Sequence, residues 1–478
     1  MSLPKICGLE TEYGLVVGDP RRLEQQDAAL ELLESCPLEP LLPWDMADES
    51  PGRDARAASD AAIGSAILDS ASHAGFMLGN GARLYVDHGH PEYSTPECAD
   101  ALALVVADKA GERLLEQCGQ ALNAALPSGQ SVQLFKNNSD HQDHSYGCHE
   151  NYLLDASCYR RLFDNRSLFL HAHLVPFLIS RQVVCGSGKV GSENGRPPVD
   201  FQISQRADFF ECLIGLETMS HRPIVNTRDE SHADRSRYRR LHVILGDANM
   251  SEVSAFLKIG TMQLFLAMIE DGEQLPNLAL ADPLAAMVQI SHDPSCRERV
   301  ALADGRQMTA VEMQLAFAEA AQRYVQSERE AQRYEQVLAR WTETLEQLRQ
   351  NPLLLVRSLD WVIKWNFIGT WRRDKALDWS AYELKELDIR YHGIERDRSI
   401  FYLLEGDGRI ERLLDDEQIA RAMAAPPDAT RAAARAAYIR QAGAHIRAAS
   451  WGAVVERDAS GQSRRVVLND PIRSDRVG

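Results

Sequence analysis

Asn80-Gly81-Ala82-Arg83-Leu84-Tyr85-Val86-Asp87-His88-Gly89-His90-Pro91-Glu92-Tyr93-Ser94-Thr95-Pro96-Glu97 is the densest run of reactive side chains in the sequence. Residues 82–86 alternate with the period of two of a half-buried strand, which sends Arg83, Tyr85 and Asp87 to one side and Leu84 and Val86 to the other. A Gly/Pro turn follows and carries Glu92. A cation, a phenol and carboxylates in one register can hold a hard metal ion through oxygen while the arginine meets a phosphate. A lone alternating strand also suits an exposed polar sheet face, so the decision rests on a second strand. Residues 5–17 supply it: their alternation puts Glu10 and Glu12 on one face and Leu9 and Thr11 on the other. Carboxylates converging from two strands, with room between them, are what a nucleotide-bound Mg²⁺ requires.

Outward from these strands the pattern is mixed. Residues 102–126 have helical spacing, 132–136 and 241–245 read as strands, and 168–183 as an apolar helical run, without regular βαβ repetition, so the fold class is α+β. Long amphipathic helices follow, as around Leu338, Trp341, Leu345 and Leu348. Residues 21–72 are acidic, Ala-rich and Pro-punctuated, and predict a partly mobile insertion of short helices and loop. From about Gly406 the chain turns Ala- and Arg-rich, passes Pro426-Pro427 and a helix, and reaches a strand over 453–455. This divides the chain into a catalytic domain over 1–405 and a small C-terminal domain over 406–478.

Composition narrows the function classes. Apolar residues make up 45% and charged residues 25% of the 478, the balance of a globular protein. Lys and Arg total 52 against 69 Asp and Glu, a net charge of −17, which argues against broad nucleic-acid binding. The nine cysteines form no CxxC pair and read as reduced thiols, and the N-terminus meets Glu10 before any signal-length apolar core, so a cytoplasmic location is expected. Apolar stretches such as 168–179 fall short of the ~20 residues of a membrane helix, and no membrane association is expected.

Further residues carry possible chemistry. His149-Glu150-Asn151 can add imidazole or oxygen ligands or position a substrate amide, and can equally be a loop held by its own hydrogen bonds. Cys148 beside His149 is not read as a thiol-protease dyad, since nucleophile and base usually meet across a fold. Residues 222–240 hold Arg222, Arg228, Arg235, Arg237, Arg239 and Arg240 and no Lys, just before His242. Arginine suits bidentate phosphate contacts, although Asp229, Glu230 and Asp234 offset about half of this charge. Gly186-Ser187-Gly188-Lys189 lacks the flanks of a P-loop. Trp451 offers an aromatic face for a base or for a core.

Gly8-Leu9-Glu10-Thr11-Glu12-Tyr13-Gly14, residues 80–97 and 134–152, Ser204-Gln205-Arg206-Ala207-Asp208, Asn226-Thr227-Arg228-Asp229-Glu230, residues 239–249 and Ala449-Ser450-Trp451 together closely resemble the Pup ligase and depupylase family. That resemblance implies a glutamine synthetase-like large domain, with a curved, mainly antiparallel sheet, the site on its concave face and helices behind, plus the small C-terminal domain. It implies ATP (or ADP plus phosphate) with Mg²⁺ as cofactor, Glu10, Tyr85 and Glu92 on the metal, Arg83, Thr95 and Trp451 on ATP, and Asp87 as the catalytic carboxylate. Glu12, His149 and His242 join the candidate metal shell, and Arg206, Arg228 and Arg240 the candidate nucleotide contacts. The insertion, residues 86–91 and residues 201–208 resemble the depupylase and deamidase branch. Glu10-Thr11-Glu12, Leu134-Phe135-Lys136-Asn137-Asn138 and Tyr146-Gly147-Cys148-His149 resemble the ligase branch. The expected activity is hydrolysis of the amide or isopeptide at the side-chain carboxyl of the C-terminal residue of Pup. Ligation through a glutamyl phosphate, or a nucleotide-binding paralogue with another or no substrate, are the alternatives. Pup or a Pup-like small protein and its conjugates are the expected partners, and a monomer the expected state.

Overall fold

Two residues with positive φ, His88 at 47° and Gly89 at 83°, turn the chain between strands β4 (Arg83–Asp87) and β5 (His90–Ser94). Two consecutive left-handed residues make the tight turn whose twist matches paired strands, and the resulting register sets Asp87 against His90 and Tyr85 against Glu92. Around this hairpin, a computed structural model describes residues 2–18, 23–39, 41–56, 75–164, 169–457 and 461–473.

The hairpin belongs to a seven-stranded sheet, with β1 (Cys7–Glu12), β2 (Leu42–Pro43), β3 (Gly75–Met77), β6 (Cys148–Asp155) and β7 (Tyr238–Val243), in the order β7-β6-β1-β5-β4-β3-β2. Every pairing in it is antiparallel. The α+β class and the mainly antiparallel sheet are therefore as expected. The strand read over 5–17 is broken at Tyr13: residues Gly14–Val17 leave the main sheet and pair with Val132–Phe135. Gly14 permits the switch, since a Cβ there would lie 2.6 Å from the Tyr146 hydroxyl and 2.8 Å from Asn137 Oδ1.

Helices cover the back of the sheet. Helix α2 (Ala101–Ala125) starts where Asp100 accepts a hydrogen bond from the Ala103 amide, a standard N-cap. Gly111 lets it close on the strands, because a Cβ there would lie 2.4 Å from the Tyr93 ring. Helix α3 (Glu252–Asp271) packs against α2 and is buried on nearly every side, with Lys258 and Gln263 among its buried residues. It is long and apolar enough to cross a membrane by length and composition, and the sequence reading passed over it. Its complete burial makes it a core helix, which has no polar stripe to show periodicity. The apolar run expected over 168–183 is a π-turn, Leu170–Leu174, followed by helices Val175–Ser180 and Gln182–Cys185, with Leu168 outside the described residues.

Much of the insertion expected over 21–72 also lies outside the described residues, namely 21–22, 40 and 57–72. The rest is built into the fold: helix α1 (Gln25–Glu34) buries Ala28, Ala29, Leu32 and Leu33 in the same cluster as Leu84 and Val86. Beyond Gly406, helix Asp416–Ala424 packs along α2, while Ile446–Ala449, Ala453–Arg457 and Ser463–Val467 form a three-stranded antiparallel sheet. That small sheet meets the large one at β2, where Trp44 bridges to Ala449.

Candidate active site

Register assembles the polar face row by row. Glu12 lies opposite Glu92, which lies opposite Tyr85; in the next row His149 opposes Glu10, Glu10 opposes Ser94, and Ser94 opposes Arg83. Side chains two apart share a face, so β4 alone contributes Arg83, Tyr85 and Asp87 to it. His242 enters from β7 opposite Asn151. The convergence of Glu10, Tyr85 and Glu92 required by the sequence reading is thus present across three adjacent strands.

The candidate metal residues form two adjoining groups. Oxygens of Glu12, Asp87 and Glu92 lie within 4.8 Å of one another, and so do ligand atoms of Glu10, His149 and His242. Burial and then the charge of Asp87 push Glu12 up to about 7. Burial, followed by the charges of Asp87, Glu12 and Glu10, drives Glu92 well above the carboxylate range, and Tyr85, which hydrogen-bonds to Glu92, rises well above 10 through burial and then the charges of Glu92, Glu10 and Asp87. Glu10 differs. Burial would raise it, but the His149 hydrogen bond, His242 and Arg240 hold it well below the usual range. Like charges gathered out of water are costly unless a cation joins them, and an all-oxygen set of this kind suits a hard divalent ion. His242 is lowered by burial and by Arg240. Its Nδ1 lies 3.0 Å from Asn151 Oδ1, while its buried Nε2 has no hydrogen-bond partner among the described residues. With Nδ1 donating to the amide, Nε2 turns its lone pair to the site.

Beside the metal groups the β1, β5 and β6 strands floor a pocket lined by Gly8, Glu10, Thr95, His232, Arg240 and Trp451 among others. Thr95 Oγ1 accepts from the Leu9 amide at 3.0 Å, which ties β1 to the end of β5. Glu97 brings Trp451 to the cavity. Its carboxylate binds Arg431 and Arg435 at 2.7 and 2.8 Å, and Arg435 in turn donates to the Trp451 carbonyl at 2.8 Å. Arg83 lies over two rings, its Cζ 4.0 Å from the Tyr85 centroid and 4.3 Å from that of Trp44. Its buried Nε and Nη2 have no hydrogen-bond partner among the described residues. Orphaned guanidinium donors, carboxylates in mutual repulsion and an aromatic wall fit a metal-bound polyphosphate with a base.

The arginine-rich loop divides. Arg240 reaches Glu10 at 3.2 Å and Asn151 at 2.8 Å, and Arg228 lies close enough to lower His149 and His242 after burial has done so. Arg235 and Arg239 both bind Asp229, Arg237 sits exposed near Asp470, and Arg222 donates to the carbonyls of Thr218 and Ser145. Arg206 is buried against the carbonyls of Ile244 and Gly246 on the Glu12 side of the metal groups, not in the cavity; burial and Arg222 bring it down to about 10. Gly186-Ser187-Gly188 forms an irregular link from helix Gln182–Cys185 to strand Lys189–Val190, with Gly188 at φ 73°. Three features escaped the sequence reading: Asn151 as the hub of Glu10, Arg240 and His242, the cluster of Glu49, Glu230 and His232, and Trp44.

The family model described as Pup-ligase protein matches residues 5–455. The chain belongs to that family. Within the Pup-ligase family it is 42% identical to a depupylase of Acidothermus cellulolyticus, over 99% of this chain and 95% of the relative. It is 40% identical to a Pup deamidase/depupylase of Mycolicibacterium smegmatis, over 99% and 96%, and 41% identical to a Pup–protein ligase of a Nocardioides species, over 83% and 87%. Among solved structures it resembles the ligase PafA in complex with the prokaryotic ubiquitin-like protein Pup, with a TM-score of 0.82, 33% identity and coverage of 99% of this chain and 89% of that one. PafA in complex with ADP matches at a TM-score of 0.75 with 34% identity, over 85% and 88%.

Proposed function

We propose that the chain is a depupylase and Pup deamidase that hydrolyses the amide or isopeptide at the side-chain carboxyl of Pup's C-terminal residue, with ATP (or ADP plus phosphate) and Mg²⁺ in its site. The observation that carries the reading is the place of Asp87. The two-residue turn sets it at the open end of the Arg83, Tyr85, Asp87 row, with its side chain 25% exposed, against the Glu12 and Glu92 carboxylates. Relatives named depupylase at 40–42% identity over nearly their whole length support the hydrolytic direction.

Glu10, Tyr85 and Glu92 would hold the metal, with Glu12, His149 and His242 around it, and Arg83, Thr95 and Trp451 the nucleotide. When bound, Mg²⁺ would supply positive charge to the carboxylate-lined site and to the substrate carbonyl it polarises. His88 Nδ1, 2.8 Å from the Asp87 carboxylate, helps to orient it. Asp87 then acts in one of two ways. As general base it takes a proton from water, whose oxygen joins the carbonyl carbon, and returns the proton to the departing amine. As nucleophile it bonds that carbon itself, the amine leaves with a proton taken from water, and the hydroxide so formed opens the resulting anhydride to give two carboxylates. One turnover in ¹⁸O-water that labels Asp87 would show the nucleophilic route, with attack on the Asp87 side of the anhydride.

Incubation with a pupylated protein, Mg²⁺ and ATP tests the activity: release of free target is expected. Net conjugate formation from Pup ending in Glu, with ADP release, would show the ligase direction instead, a second reading favoured by the ligase relative at 41% identity. Binding of nucleotide without turnover of either substrate would mark a paralogue.

A further inference from the structure

Trp44 lies in the Pro-punctuated stretch after α1 and touches both halves of the nucleotide wall. Its ring faces the Arg83 guanidinium at 4.3 Å and meets Trp451 edge-on, with centroids 5.1 Å apart and planes at 70°. It is 7% exposed. Its amide donates to the Gly75 carbonyl at 3.0 Å, and its Nε1 donates to Glu49 Oε1 at 2.8 Å. That same carboxylate oxygen stands 3.8 Å from Arg83 Nη1. Neither Trp44 nor Arg83 is among the residues that line the cavity, whereas Trp451 is. Whatever it does for a nucleotide it does through Arg83 and Trp451.

The geometry points to Trp44, with Glu49, as a positioning residue for the nucleotide, which holds Arg83 edge-on to the phosphates and fixes the plane of Trp451. A guanidinium held against two aromatic rings is restricted in orientation and makes its hydrogen bonds along its edge. Glu49 occupies the Nη1 corner, which leaves Nε and Nη2, the two buried donors without partners among the described residues, as a parallel pair directed to an anion. Removing the indole would free the guanidinium to rotate or to collapse onto Glu49, and would let Trp451 move into the vacated space. The inference rests on the nucleotide-binding reading above and adds the residue that makes it geometrically definite.

The test is calorimetric titration of the full chain with Mg·ADP and Mg·ATP, alongside steady-state kinetics on a pupylated protein with ATP varied. Trp44→Ala is expected to weaken nucleotide binding about tenfold, the scale of a desolvated cation–π contact, and to raise the apparent KM for ATP in proportion while kcat stays within about twofold. Trp44→Phe keeps a ring over Arg83 and should stay within about threefold of the unaltered chain. Val454→Ala, a buried residue of the same hydrophobic cluster that touches neither Arg83 nor the cavity, controls for general loosening. It should lower Tm without moving nucleotide affinity. If Trp44→Ala fails to fold, Glu49→Gln carries the test, with a severalfold loss of affinity expected from release of the Nη1 corner. Equal affinity in the unaltered chain and the folded Trp44 variant, or equal losses in Trp44→Ala and Val454→Ala, would overturn the positioning role and leave the nucleotide site standing. No binding by the unaltered chain would remove the nucleotide site, and the role with it.

Discussion

The two sides of the large sheet bury charge in opposite ways. Behind it, Lys136 contacts Asp108 at 2.6 Å and Glu112 at 2.7 Å, and Lys109 adds a second cation 2.9 Å from Glu112. Those contacts hold Glu112 down to about 2 even though burial alone would raise it. On the site face, oxygens of Glu12, Asp87 and Glu92 lie within 4.8 Å of one another, and burial together with the neighbouring carboxylates drives Glu12 and Glu92 up. Buried charge is thus handled differently on the two faces. Behind the sheet, carboxylates are matched by lysines and serve as scaffolding, whereas on the site face carboxylates crowd one another and are shifted up, the pattern that functional sites favour.

The sharpest break of this comparison is Asp87→Asn. Asn keeps the shape but can neither attack nor accept a proton, so kcat should fall on the order of 10³-fold or more while nucleotide affinity stays close to normal. Near-normal turnover by the folded variant would take Asp87 out of the mechanism.

On the back face, Lys136→Met leaves Asp108 and Glu112 buried with half their compensation gone, and urea unfolding should show a loss of about 4 kcal/mol. Glu97 carries the same logic into pH. Although burial opposes it, Arg435 and Arg431 bring Glu97 down to about 2 from an ordinary value of 4.5. Its contribution, roughly 3 kcal/mol from that difference, is therefore complete above pH 4.5 and is lost as pH falls toward 2. The stability gap between the native chain and Glu97→Gln should close over that window. A gap that persisted in acid would show that the ion pairs do not set it.

Glu92→Gln sharpens the contrast from the other direction. Removing one of three mutually repelling carboxylates should stabilise the metal-free protein by about 1 kcal/mol and reduce the rise in Tm produced by Mg²⁺. The smallest effect belongs to the surface. Arg421→Ala breaks a 2.8 Å pair with Glu417 whose side chains are 66% and 79% exposed, and should change stability by less than about 0.5 kcal/mol.

The period-two alternation of Arg83, Tyr85 and Asp87, and of Glu10 and Glu12, was readable because side-chain direction in a strand follows from spacing alone. The pairing of Glu10 with His149, and of His242 with Asn151, was not, since it depends on register between strands far apart in the chain. Trp44 was hidden by its setting: a Pro-rich stretch reads as loop, although Pro43 here closes a two-residue edge strand. The compensated charges of α2 look like an ordinary polar face until Lys136 and Lys109 are seen to meet them. The Arg222–Arg240 loop showed the converse, because Asp229 next to Arg228 already signalled that part of the cluster is self-neutralised.

The bridge between Trp44 and Ala449 also joins stretches far apart in the sequence. The strands bearing Glu10, Tyr85 and Glu92 lie between residues 7 and 94, whereas the strands 446–449, 453–457 and 463–467 of the small sheet come several hundred residues later. A chain cut before the small sheet would leave the short edge strand beside Trp44 without that neighbour and would take Trp451 away from the pocket. The pocket is thus walled by residues from both ends of the sequence.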